Sequence, residues 1–71
     1  MTVNELGRIV RLQRRESSLR QDELAALAGV GTRFVSELEN GKSSLELGKV
    51  VRVLETVGLE VTVAKRPTDW P

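Results

Sequence analysis

Enzymatic chemistry has few side chains to draw on in this sequence, which holds no histidine, cysteine or tyrosine. Hydrogen-bonding residues at helical spacing are present instead. Thr32, Arg33, Ser36 and Glu37 share one exposed face if residues 32–40 form a helix. Such a face recognises a ligand rather than transforming it. The Arg33 guanidinium can fork onto paired acceptors such as guanine O6 and N7, and Thr32 can touch a thymine methyl. Glu37 only accepts, so it suits a cytosine N4 donor or orients Arg33 four residues away. An ordinary solvated surface is the plain alternative for each. A second group is basic: Arg8, Arg11, Arg14, Arg15 and Arg20 stand against Glu16 alone in the stretch 8–20, within a chain of net charge +1. Phosphate contact and a solvated, salt-bridged helix surface both fit that run.

These groups have to be held by helices. Val3, Leu6, Ile9, Val10 and Gln13 follow the spacing of a buried stripe and predict a first helix over residues 2–16. A second is expected over 20–29, with Leu24, Ala25, Leu27 and Ala28 inward and Asp22 and Glu23 at its positive end. Gly29 can take the left-handed conformation that ends it. Phe34, Val35 and Leu38 define the third helix, stopped by Asn40-Gly41. Ser43-Ser44-Leu45-Glu46 reads as a capping box for a fourth over 45–57, with Leu47, Val50, Val51 and Leu54 apolar and Gly58 as its stop. The period then changes. Leu59, Val61 and Val63 alternate with Glu60, Thr62 and Ala64, the pattern of a strand.

The stretch QDELAALAGVGTRFVSEL, residues 21–38, links these elements into one motif. Ala25 is small where two helices would touch, Gly29 sits in a three-residue turn, and Leu24, Ala28, Val30, Val35 and Leu38 are apolar toward a common core. This is the helix-turn-helix pattern, whose second helix enters the DNA major groove. Gly29-Val30-Gly31 is a turn and not half of a G-x-G-x-x-G loop, so neither an enzyme nor a cofactor is expected. A protein-interaction module of the same shape is the alternative class.

Gln21-Asp22-Glu23-Leu24-Ala25, the Gly29-Val30 turn and Val35-Ser36-Glu37-Leu38-Glu39-Asn40-Gly41-Lys42 resemble the Xre/Cro family of phage and bacterial regulators. That resemblance implies an all-α, lambda repressor-like domain of four helices that binds double-stranded DNA at a palindromic operator. It assigns base reading to Thr32, Arg33 and Glu37, with Ser36 on the same face. Gln21, Asn40, Lys42 and Ser43 match the family's phosphate-contact positions. Arg14 and Glu39 match a structural bridge that clamps the recognition helix. Arg20 departs from the family's capping Thr or Ser; it weakens the cap by about 1 kcal/mol and places a cation near the phosphates. A fourth helix followed by LEVTVAK is similar to HipB-type antitoxins, which dimerise, repress their own promoter and hold a HipA-like kinase toxin. A free-standing repressor is the alternative within the family.

Seventy-one residues make one domain, here 1–65 with a tail at 66–71. A chain this short buries only roughly 60% of its unfolded surface. With no disulfide or thiolate metal site to staple it, a second copy is the expected support. A lone strand in a helical domain lacks a partner for its backbone groups, so Leu59, Val61 and Val63 are expected to pair across a homodimer two-fold. A solvated tail is the alternative. No apolar run approaches a membrane span and residues 2–16 lack the apolar core of a signal peptide, so the cytoplasm is the default location. Trp70 lies between Asp69 and Pro71, outside the core pattern, and reads as an anchor for a protein partner or as a ring folded back on its own dimer.

Overall fold

The computed structural model describes residues 1–67 and shows four helices: α1 (Val3–Glu16), α2 (Gln21–Ala28), α3 (Thr32–Glu39) and α4 (Leu47–Thr56). The expectation for Trp70 falls outside the described residues. α2 packs across α3 as a helix-turn-helix, α1 lies against α3, and α4 closes the bundle over α2. Each helix gives one fully buried side chain to a common centre: Val10, Leu24, Val35 and Val53. Ala25, Ala28, Leu38, Val50, Leu54 and Val57 surround them, with Leu6, Leu19, Val30, Phe34, Leu45 and Leu59 at the edges.

The helix ends are chemically explicit. Thr2 caps α1, its Oγ1 accepting from the Glu5 N–H at 3.1 Å. All four helices close with the paired backbone bonds of a Schellman turn. In α3, Lys42 N–H donates to Glu37 O at 3.0 Å and Gly41 N–H to Leu38 O at 3.1 Å. The left-handed residue is glycine at positions 29, 41 and 58 but Ser18 after α1, at φ 58°. A Cβ there carries a strain of about 1 kcal/mol that the enclosing contacts must hold. At Arg20 only half of a capping box exists, because arginine has no acceptor. Glu23 reaches back to accept from the Arg20 N–H at 2.8 Å, and the Arg20 side chain supplies no cap of its own.

Three expectations are corrected. Leu27 is not inward but 67% exposed, since α2 spans only two turns and its neighbours cover the Leu24–Ala28 side. The serines do not cap α4. Leu45 is drawn into the core edge, the chain stays extended through Glu46, and α4 begins at Leu47 without a side-chain cap. In α4 the inward stripe is Val50, Val53, Leu54 and Val57, and Leu47 points out, 72% exposed. Among the described residues of the single chain no strand forms, which leaves the pairing expected across a dimer to a second copy. Leu59 packs on the core edge, but residues 60–66 are exposed and run past a helical bundle that offers no ladder.

Candidate nucleic-acid interface

α3 is held from beneath through the carboxylate of Glu39, which is wholly buried. Arg14 grips it with two bonds, Nε to Oε2 at 2.6 Å and Nη2 to Oε1 at 3.0 Å. The third Arg14 nitrogen donates to Leu19 O at 2.8 Å, which ties the end of α1 into the same joint. Arg11 Nε at 3.2 Å and Gln21 Nε2 at 3.1 Å also donate to Oε1. Burial by itself pushes the Glu39 carboxyl upward; the hydrogen bonds from Arg14, Gln21 and Arg11 outweigh it, so its pKa lies below the ordinary glutamate value. The same Glu39 bond raises Arg14 further against the opposing effect of burial. One carboxylate thus joins α1, the start of α2 and the end of α3.

The sequence signals Arg14 and Glu39 but not Arg11 or the second role of Gln21. Arg11 sits one turn before Arg14 and reaches both Glu39 and, at 3.3 Å, the Asn40 Oδ1. That i, i+3 spacing was the available clue. Much of the basic run is therefore not an open cationic face. Arg11 and Arg14 converge on Glu39, and Arg20 lies 3.1 Å from Asp22 and 3.7 Å from Glu23.

Above this joint α3 presents Thr32 and Arg33 exposed and Ser36 and Glu37 half-buried. The Arg33 side chain is 89% exposed at the N-terminal end of the helix, its Nε 3.5 Å from Glu37 Oε2. Lys42, carried round by the Schellman turn, puts Nζ 3.0 Å from the same oxygen. The Lys42 hydrogen bond and the nearby Arg33 charge hold the Glu37 carboxyl below its ordinary value. Asn40 and Ser43 are exposed near Lys42 in sequence, and Arg20 and Gln21 stand at the start of α2. The structure brings donors to the two ends of α3, with a carboxylate between them. Such a surface can fit acceptors along a groove.

A family model described as a helix-turn-helix domain matches residues 5–66. An HTH-type transcriptional regulator, y4mF, of Sinorhizobium fredii is 48% identical over 62 residues, covering 87% of this chain and 82% of the relative. The ImmF control region 10 kDa protein of Bacillus phage phi105 is 28% identical over 61 residues, covering 86% and 68%. Among solved structures, the fold is similar to a chain of a HipA-HipB-O2-O3 complex, with a TM-score of 0.81, 23% identity and 92% of each chain covered. It is also similar to the restriction-modification controller protein C.AhdI from Aeromonas hydrophila, with a TM-score of 0.72, 24% identity and 82% and 84% covered. Among the described residues no helix is long and apolar enough to cross a membrane. With the motif, its two-helix geometry and these likenesses in hand, the chain belongs to the helix-turn-helix domain family of transcriptional regulators.

Proposed function

We propose that the chain is a sequence-specific DNA-binding repressor that acts as a homodimer, with α3 in the major groove. The observation that carries this is the combination at α3: an exposed Arg33 on a helix anchored through a buried carboxylate. Anchoring matters because base readout needs a side chain presented at fixed height and angle, and Arg33 then has the geometry to fork onto guanine. Thr32, Ser36 and Glu37 complete the reading face. Lys42, Ser43, Asn40, Gln21 and Arg20 bracket it and set register on phosphates. Residues 1–65 form the working unit and 66–71 a tail.

Dimerisation has its own support. Leu47, Val50, Val51, Leu54 and Val61 border an open apolar groove of about 310 Å³ beside the unpaired segment 60–62. Pairing of Leu59, Val61 and Val63 with the same segment of a second copy satisfies that backbone and covers the groove. Two α3 helices about 34 Å apart then read a palindrome.

The test is selection from a random duplex pool, followed by binding as salt is varied. Arg33→Ala should lose about 1–3 kcal/mol on the selected duplex and little on random DNA. Lys42→Ala should weaken all duplexes alike and lower the salt slope by about one. A pool that never enriches would sink the proposal. An antitoxin role is a second reading, favoured by the likeness over 92% of a chain from a HipA-HipB-O2-O3 complex. Co-purification with a kinase-like neighbour's product tests it, and its failure leaves the free-standing repressor.

A further inference from the structure

Glu37 stands in an unfavourable place for a helix carboxylate. α3 runs Thr32–Glu39, so Glu37 lies in its last turn, where the negative end of the dipole disfavours an anion. Its partner Arg33 precedes it by four residues, the less stabilising order for such a pair. It is not part of the core, and the anchoring of α3 is carried by Glu39. Helix stability therefore does not account for it. What Glu37 does is geometric: one oxygen, Oε2, takes Lys42 Nζ at 3.0 Å and Arg33 Nε at 3.5 Å. Those cations come from opposite ends of α3, and both belong to the set assigned above to DNA.

Resting on the DNA-binding reading of α3, we propose that Glu37 is a specificity-determining counter-charge. It holds Arg33 and Lys42 in the free protein and must be displaced or re-satisfied when DNA binds. A random duplex offers phosphates to Lys42. Accepting them strips Glu37 of its cation and leaves a carboxylate beside a polyanion, which is repulsive. A target duplex presents an exocyclic amino donor, cytosine N4 or adenine N6, where the freed carboxylate can accept. Glu37 thus weakens binding to all sequences and weakens it least on the target. It discriminates by penalising the wrong partner rather than by adding attraction for the right one. Glu37 is ionised at neutral pH as any ordinary glutamate is, and the Lys42 hydrogen bond lowers its pKa further.

The experiment uses the full chain and Glu37→Gln, which keeps the shape and removes the charge. Two probes are compared by fluorescence anisotropy: a random-sequence duplex pool of about 25 base pairs, long enough for two half-sites, and the duplex that the wild-type protein enriches from that pool. On the random pool Glu37→Gln should bind about tenfold tighter, with the salt dependence steeper by about one. On the enriched duplex the gain should vanish or reverse, so the specificity ratio falls at least tenfold. In a Lys42→Gln background the gain on random DNA should shrink to about threefold, because one masked cation is already gone. Unchanged or weaker binding of Glu37→Gln to the pool overturns the proposal, as does an undiminished gain without Lys42. Circular dichroism of the variant should match the wild type, since α3 is anchored elsewhere. If the wild-type protein binds no duplex, the DNA-binding reading itself fails; if it binds and enriches while Glu37→Gln behaves identically, only the counter-charge fails.

Discussion

At Glu39 a buried charge is tolerated because four hydrogen bonds from Arg11, Arg14 and Gln21 reach its two oxygens. Glu39→Gln keeps the volume but leaves the Arg14 guanidinium, only 11% exposed, without its counter-ion. Breaking a buried pair on one side costs about 3 kcal/mol or more, a large share of the stability of a small domain. The pair also fixes a pH dependence. The folded Glu39 pKa lies below the unfolded value, so its contribution is complete above the ordinary glutamate range near pH 4.3 and is lost as pH falls through the folded pKa. Urea midpoints measured across that range should show a steep acid limb in the wild-type protein and a flatter one in Glu39→Gln. Equal limbs would mean that other carboxylates, such as Asp22 and Glu37, set the acid sensitivity.

Among the elements, α1 crosses close over the end of α3 at Gly7. A Cβ at Gly7 would lie 2.5 Å from Leu38 O and 2.6 Å from Glu39 O, both backbone atoms at the end of α3. Two effects oppose each other in Gly7→Ala. Helix propensity favours alanine by about 1 kcal/mol. Overpacking against backbone that cannot rotate away costs about 1–3 kcal/mol, and it also shifts Arg11 and Arg14, on the same helix, relative to Glu39. The clash should win, lowering the thermal midpoint by several degrees, since about 1 kcal/mol corresponds to roughly 4–8 °C in a domain of this size. A higher midpoint would show that α1 can slide on α3 at no cost.

For the whole molecule the feature that bears on assembly is the exposed segment after α4. Val63 is 97% exposed in the single chain, whereas Val61, at 47%, already touches the groove beside α4. Val61→Lys and Val63→Lys are both expected to oppose dimerisation, but only Val63 separates assembly from folding. Val63→Lys should leave monomer helicity and core stability unchanged. On the proposed homodimer it should move sedimentation toward a monomer and weaken operator binding, because two tethered α3 helices would gain from acting together. A full dimer in Val63→Lys would refute strand pairing across the two-fold.

Local chemistry made the four helices and the helix-turn-helix legible in the sequence. Apolar spacing, Gly29 and Asn40-Gly41 act within one or two turns of chain, so no distant contact is needed to read them. Thr32, Arg33, Ser36 and Glu37 could be placed on one face for the same reason. Where the reading slipped, a distant neighbour had decided. Leu27 and Leu47 have the right spacing for burial, yet a short helix buries only the side its neighbours reach, and both point outward. Ser43 and Ser44 carry the right capping chemistry, but Leu45 is pulled to the core edge and delays α4 to Leu47. The alternation at residues 59–65 is strand-like, yet the single chain forms no strand there, because its helices offer that backbone no partner. Above all, Glu39 as the meeting point of Arg11, Arg14 and Gln21 depends on residues 18 to 28 positions apart in sequence. The family resemblance signals Arg14 and Glu39, but side chains that distant converge only once the core has set the angles between helices, so the addition of Arg11 and Gln21 to that bridge is decided by the tertiary structure.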